Sequence, residues 1–192
     1  VVADPPEHIV LAAVAQARAS RVDLIIGFGG GSSMDVAKLV ALLAHPDNSQ
    51  TLQDIYGVGN AKGQRLRLIQ VPTTAGTGSE VGRASVITNS KTHVKKIIFH
   101  PKVLPSIVIA DPELTVGMPK FITAGTGLDA FAHCVEAYSS PHYHPMSQGI
   151  ALEGMRLVTT YLPRAYATPD DLEARAHMMS AAAMGATAFQ KG

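Results

Sequence analysis

The stretch from Asp23 to Phe28 is a short apolar run that breaks into Gly29, Gly30, Gly31 and Ser32. A helical pattern follows from Ser33 to Ala44. Strand, small-residue turn, helix is the opening unit of an α/β fold, and a run this apolar suits a buried parallel strand. Glycines at such a turn let backbone approach a phosphate, and the helix start offers unpaired N–H groups and a positive dipole end. A pyrophosphate fits that chemistry. The pattern departs from G-x-G-x-x-G because Ser32 takes the last glycine position, and no Gly-Lys-Ser/Thr follows to make a P-loop. The competing reading is a tight turn with Ser32 as N-cap and Asp35 as capping-box acid. For Asp35 itself, capping is the expected role.

The same logic recurs at Val71-Pro72-Thr73-Thr74-Ala75-Gly76-Thr77-Gly78-Ser79-Glu80, which follows a predicted strand over 66–71. Hydroxyls and amides at a strand's C-terminal end hold the ribose or diphosphate of a nucleotide; an ordinary hydroxyl-capped turn is the alternative. Asp4-Pro5-Pro6-Glu7 is expected to start a helix, with Asp4 as N-cap. Residues 84–88 and 94–98 are predicted to form a hairpin around Asn89 to Thr92, and 106–110 a further strand. After Pro119 everything reads as helix, over about 119–138, 146–160 and 170–190, with breaks at Pro141/Pro145 and Pro163/Pro169. Strands followed by a run of helices predict two domains. The expected division is residues 1–114, an α/β nucleotide-binding domain with an incomplete parallel sheet, and residues 115–192, the start of an all-helical domain.

On the first of those helices, Asp129 and His133 stand at i and i+4, so both side chains leave one face. A carboxylate and an imidazole suit Fe²⁺, Zn²⁺ or Mn²⁺; a hydrogen-bonded Asp–His pair is the simpler reading. Glu136, three residues on, reads as a solvated helix position or a further ligand. His142 and His144 flank Tyr143 in a proline-bounded connection and read as surface residues. Cys134, mid-helix among apolar neighbours, reads as a buried inert thiol.

Composition excludes several classes. Sixteen Lys and Arg against fifteen Asp and Glu leave a net charge of +1, which gives no electrostatic case for nucleic acid or an anionic membrane. No apolar run approaches the roughly 18–20 residues of a membrane span. A single cysteine excludes an internal disulfide framework and fits a reducing, cytoplasmic compartment. The chain opens on Val1 without an initiator Met and stops at Gly192 inside a helical pattern, so it is expected to be an internal piece of a longer protein.

The stretches GFGGGSSMDVAK, VPTTAGTGSEV, Val94 to Leu114, GLDAFAHCVEAY and HPMSQGIALEGMRLV, in this order, resemble the iron-containing (group III) alcohol dehydrogenases over nearly the whole chain. The resemblance implies an α/β domain that binds NAD or NADP, followed by an all-helical metal-binding domain, as in dehydroquinate synthase. It implies that Gly29, Gly30, Gly31 and Ser32 hold the pyrophosphate and that Thr73 and Thr74 contact the cofactor. Val86 matches a position against the cofactor, and Lys95 a lysine that reaches a cofactor hydroxyl or phosphate; unaided, Lys95 reads as a solvated strand residue. Asp129 and His133 match the first two metal ligands, Fe²⁺ first and Zn²⁺ second. The two remaining ligands of the family are histidines expected beyond Gly192. The implied reaction passes a hydride between an alcohol and NAD(P), with an aldehyde or ketone as product and a homodimer or larger assembly as host. The alternatives are a dehydroquinate-synthase-type lyase and a catalytically incomplete nucleotide-binding fragment. Chemistry of the maleylacetate-reductase kind, without metal, is disfavoured by the presence of Asp129 and His133.

Overall fold

The computed structural model describes residues 1–191 and divides into two compact units, Val1–Val71 with Arg83–Ile109, and Pro72–Gly82 with Ala110–Gly192. In the first unit, β1 (Leu24–Gly29), β3 (Arg67–Pro72) and β6 (Ile107–Val108) form a parallel sheet in the order β1-β3-β6, with Ile69 opposite Ile107. A second sheet orders β2 (Gly57–Val58), β5 (Lys95–Phe99) and β4 (Ala84–Thr88). The hairpin of β4 and β5 is antiparallel, as the sequence predicts. Two helices, α1 (Glu7–Ala19) and α2 (Gly31–Leu43), pack on each other. The apolar face of α2, including Met34, Leu39 and Leu42, is fully buried with Leu68, Ile87 and Ile98. Exposed apolar side chains alternate along β1 at Leu24, Ile26 and Phe28.

Two expected caps are wrong. Helix α1 starts at Glu7 with Pro6, not Asp4, at its N-cap, because two consecutive prolines hold the chain extended up to that point. Asp4 takes φ +49° and pairs with Lys95 Nζ at 2.7 Å instead. Helix α2 starts at Gly31 with Gly30 as N-cap, which places Ser32 inside the first turn. Asp35 is consequently too far along to close a capping box. Its Oδ2 accepts the Val86 N–H at 2.9 Å and its Oδ1 lies 3.3 Å from Lys38 Nζ. The Lys38 side chain is wholly buried and also donates to the Ala84 carbonyl at 2.6 Å. This pair therefore fastens the hairpin to the glycine-led helix. We expect Asp35→Asn to cost about 2 kcal/mol, the scale of a charged hydrogen bond lost beside a buried ammonium. Urea denaturation of the variant measures it.

Glu7 plays a comparable part at the other end of the hairpin. Its carboxylate accepts from the Tyr56 hydroxyl, Asn89 Nδ2 at 2.8 Å and Ser90 N–H at 3.2 Å. The Tyr56 bond above all holds the Glu7 carboxyl below its ordinary 4.5, against the upward pull of burial. Burial first, and the same bond second, pushes Tyr56 up to about 12. The unfolded chain thus binds a proton at Glu7 more readily than the folded one. Its stabilising contribution is complete above the ordinary value and is lost as pH falls through the lowered one. Melting temperatures followed downward from pH ~6 should drop below roughly pH 4.5 in the wild type. Glu7→Gln should show a shallower drop.

The second unit is built from α3 (Lys120–Ser139), α4 (Pro145–Ala167) and α5 (Leu172–Ala188), each packed on the other two. Pro145 sits at the first position of α4, and His144, read as a surface residue, caps it by accepting the Ser147 N–H at its Nδ1. Pro163 does not break the helix as expected; α4 runs through it to Ala167. Packing of Leu157, Val158 and Ala165 into the buried cluster outweighs the single hydrogen bond a proline omits. Asp171 caps α5 through the Ala174 N–H at 3.0 Å. Arg175 is 1% exposed, and it joins the Pro169 carbonyl (2.8 Å) to the Thr123 hydroxyl (3.0 Å).

Candidate functional site

The candidate residues fall on both units. In the first, Gly29 ends β1 with φ +138°, a conformation open to glycine alone, and a Cβ there would lie 2.7 Å from Ser33 Oγ. Gly30, Gly31 and Ser32 form the cap and first turn of α2, all half-buried, so their N–H groups stand at the positive end of a thirteen-residue helix. Gly27, just upstream, admits α2 against the strand: a Cβ would meet Ala37 Cβ at 2.8 Å. Gln70 on β3 clamps the same turn, donating from Nε2 to the Met34 carbonyl at 2.9 Å. Val86 is half-buried on β4, where the bond from its N–H to Asp35 fixes its position beside α2. Lys95 is largely exposed, and its ion pair with Asp4 is a solvated one.

In the second unit, Thr73 and Thr74 are half-buried on the turn that leads to Gly78. That turn is pressed against helices: a Cβ at Gly76 would lie 2.7 Å from the Thr126 carbonyl, and one at Gly78 2.5 Å from the Ala182 carbonyl. Gln190 Nε2 ties the segment down again by donating to the Val81 carbonyl at 3.0 Å.

Asp129 and His133 leave α3 side by side. His133 Nε2 stands 3.6 Å from Asp129 Oδ1, with side chains 24% and 44% exposed. That separation exceeds a hydrogen bond. It is close to the ~3.4 Å between two ligands that a tetrahedral ion holds at about 2.0–2.1 Å. Gly185 lets α5 pass within van der Waals reach of the His133 Cβ, and Phe189 meets the imidazole edge-on with centroids 5.1 Å apart. The ring is therefore fixed in orientation, with Nδ1 buried and without a hydrogen-bond partner. The donor set fits two positions of a divalent ion. Among the described residues no third His, Cys, Asp or Glu joins them, and Glu136 is exposed to solvent. Cys134, one residue on, is fully buried against Gly154 and Gly185, and burial pushes its thiol up to about 11, the inert state expected of it.

A glycine-led helix on a parallel sheet, joined in one chain to a helical unit carrying an Asp/His pair, defines a two-domain architecture of an α/β unit and an all-helical one. Residues 1–112 match the family described as iron-containing alcohol dehydrogenase, and residues 123–192 match the C-terminal part of the Fe-containing alcohol dehydrogenase family. The chain belongs to the iron-containing alcohol dehydrogenase family. It is 42% identical to a 4-hydroxybutyrate dehydrogenase of Cupriavidus necator over 192 residues, 98% of this chain and 50% of that protein. A crystal structure of 1,3-propanediol oxidoreductase superposes with a TM-score of 0.93 at 36% identity, covering 98% of this chain and 49% of the other. A sulfoacetaldehyde reductase from Bifidobacterium kashiwanohense, solved in complex with NAD+, gives 0.91 at 37% identity, with coverage of 97% and 50%. The chain spans about half the length of the curated relatives it matches.

Proposed function

We propose that this chain carries the nucleotide-binding region and two of the metal ligands of a metal-dependent alcohol dehydrogenase that uses NAD or NADP. Its substrates are small alcohols and the corresponding aldehydes or ketones. The observation that carries the reading is the Asp129–His133 pair: two donors at ligand–ligand distance, one of them on a ring held still by α5. Residues 1–114 act as the nucleotide-binding domain and 115–192 as the beginning of the metal-binding one. The NAD+ complex of the Bifidobacterium reductase supports the choice of nucleotide. The single buried cysteine supports a reducing, cytoplasmic setting, and the family resemblance supports a homodimer or larger assembly.

When bound, a divalent ion, Fe²⁺ before Zn²⁺, supplies Lewis acidity that lowers the pKa of an alcohol oxygen, and the nicotinamide accepts the hydride. The chain's own part is to hold and orient. Asp129 contributes a carboxyl oxygen and His133 an imidazole nitrogen. Gly29, Gly30, Gly31 and Ser32 offer backbone N–H groups to the pyrophosphate without side chains in the way. Thr73 and Thr74 present hydroxyls, Val86 an apolar contact, and Lys95 a cation. Lys95 exchanges its partner at little cost because an exposed pair with Asp4 is worth at most about 1 kcal/mol.

The test is to titrate NAD and NADP into iron-loaded full-length protein and follow reduced nicotinamide as short primary alcohols are added. Alcohol-dependent reduction is the expected result. Nucleotide binding without any alcohol-dependent reduction, on a range of primary and secondary alcohols, would sink the reading.

A further inference from the structure

A cavity lies in the first unit, at the opposite end of the parallel strands from the glycine turn. It measures about 510 Å³ and is lined by Gly63, Gln64, Arg65, Arg67, Lys102 and Ser106 among others. Arg67 opens β3 and Ser106 immediately precedes β6, so the cavity sits at the amino-terminal edge of this parallel pair. Six residues of strand separate that edge from the carboxyl-terminal one, about 20 Å at the rise of an extended chain.

The alternation of β3 builds the cavity wall. Leu66 and Leu68 point into the core at 8% and 0% exposure, which turns Arg65 and Arg67 the other way. The Arg65 guanidinium is held in a fixed orientation: Nη1 donates to the Leu66 carbonyl at 2.9 Å, and both Nη atoms lie 3.3 Å from Ser106 Oγ. Lys102 rides a short turn whose first N–H is capped by His100 Nδ1, and its Nζ donates to the Gly63 carbonyl at 2.5 Å. Those bonds leave donors over on all three cations. No carboxylate is among the residues that line the cavity. Burial alone lowers the Arg65 pKa, with no acidic group acting against it. Three positive charges, one of them partly buried, share a concavity of small-molecule size with no counter-charge on its walls.

We propose that this cavity binds a dianionic phosphate group, carried by inorganic phosphate or by a phosphomonoester, with Arg65, Arg67 and Lys102 as its ligands. A fork-shaped guanidinium already braced by Ser106 suits a tetrahedral oxyanion, because charge-assisted pairs of this geometry form without reorganising the side chain. The site is separate from the glycine turn and does not depend on the reaction proposed above.

The experiment is calorimetric titration of the full chain with inorganic phosphate and, in parallel, with AMP. Excess NAD is present to fill the glycine turn. Saturable phosphate binding with a Kd of roughly 1 mM or below is expected. Arg67→Gln and Lys102→Gln, both at positions that leave the core untouched, should each weaken it about tenfold, the worth of one charge-assisted bond. AMP binding at least as tightly as phosphate, and displaced by it, identifies a phosphomonoester as the carrier; phosphate binding without AMP binding identifies the free ion. Titration curves that do not saturate in the wild type, or that are the same in the Arg67→Gln/Lys102→Gln double variant, overturn the proposal. Circular dichroism of the variants confirms that the loss is one of binding.

Discussion

On the dehydrogenase reading proposed above, His133→Ala in the full-length protein is expected to lower turnover about a thousandfold while the affinity for nucleotide stays within a factor of two or so. The first figure follows from what the ring supplies. A Lewis acid contributes several kcal/mol of charge stabilisation in the transition state, and each ~1.4 kcal/mol is tenfold in rate. With His133 as one of its ligands, as proposed, its removal empties the site or loosens the ion within it. The second figure follows from where the residues are: the glycine turn belongs to the other unit, and no hydrogen bond of His133 supports it. The variant should also fold. His133 makes no hydrogen bond through Nδ1, so its loss leaves no buried partner unsatisfied. The measurements are steady-state rates, iron content per chain, and calorimetric titration with NADH. Glu136→Ala is the control, since an exposed side chain one turn along should leave all three unchanged. A variant that turns over at the wild-type rate with bound iron removed would remove His133 from the chemistry.

The parts of this molecule that could be read from the chain are those whose cause is local. A strand that ends in glycines, a hairpin closed by Asn89 to Thr92, and helices started by Pro145 and stopped before Pro169 all carry their own punctuation. The Asp129/His133 pair was equally legible, because a separation of four on a helix is a geometric statement. What could not be read depends on partners far along the sequence. Asp35 looks like a cap until Val86, fifty-one residues away, takes its carboxylate. Pro163 looks like a stop until the buried neighbours of α4 are counted. The basic cavity joins residues 63–67 to residues 101–106 across two strands, and neither stretch announces an anion by itself. Asp4 and Lys95 met the same fate: each has a plausible local role, and the fold spends both on one surface ion pair. Backbone conformation set by neighbours in sequence can be foreseen, whereas contacts made by closing long loops cannot.

The threonine turn illustrates how much stability rests on such a contact. Gly78→Ala is expected to destabilise the helical unit by about 3 kcal/mol. The residue sits in the left-handed region at φ +60° and ψ +22°, where any side chain but glycine costs roughly 1 kcal/mol. The larger share is steric. The added methyl would lie 2.5 Å from the Ala182 carbonyl oxygen and would also run into Ala186, so the obstruction includes the backbone of α5 and no rotamer relieves it. Displacing a turn or a helix inside a packed unit costs a further ~1–3 kcal/mol. The substitution therefore pushes the segment bearing Thr73 and Thr74 off the helix that supports it. If those hydroxyls hold the nucleotide, NAD affinity falls along with stability. Gly149→Ala offers the opposite case on α4, where the site for a methyl is open and exposed. Helix propensity alone should there raise stability by up to about 1 kcal/mol. Equilibrium urea unfolding of the two variants beside the wild type tests the contrast. Equal midpoints for Gly78→Ala and wild type would mean that the turn does not pack on α5 as described.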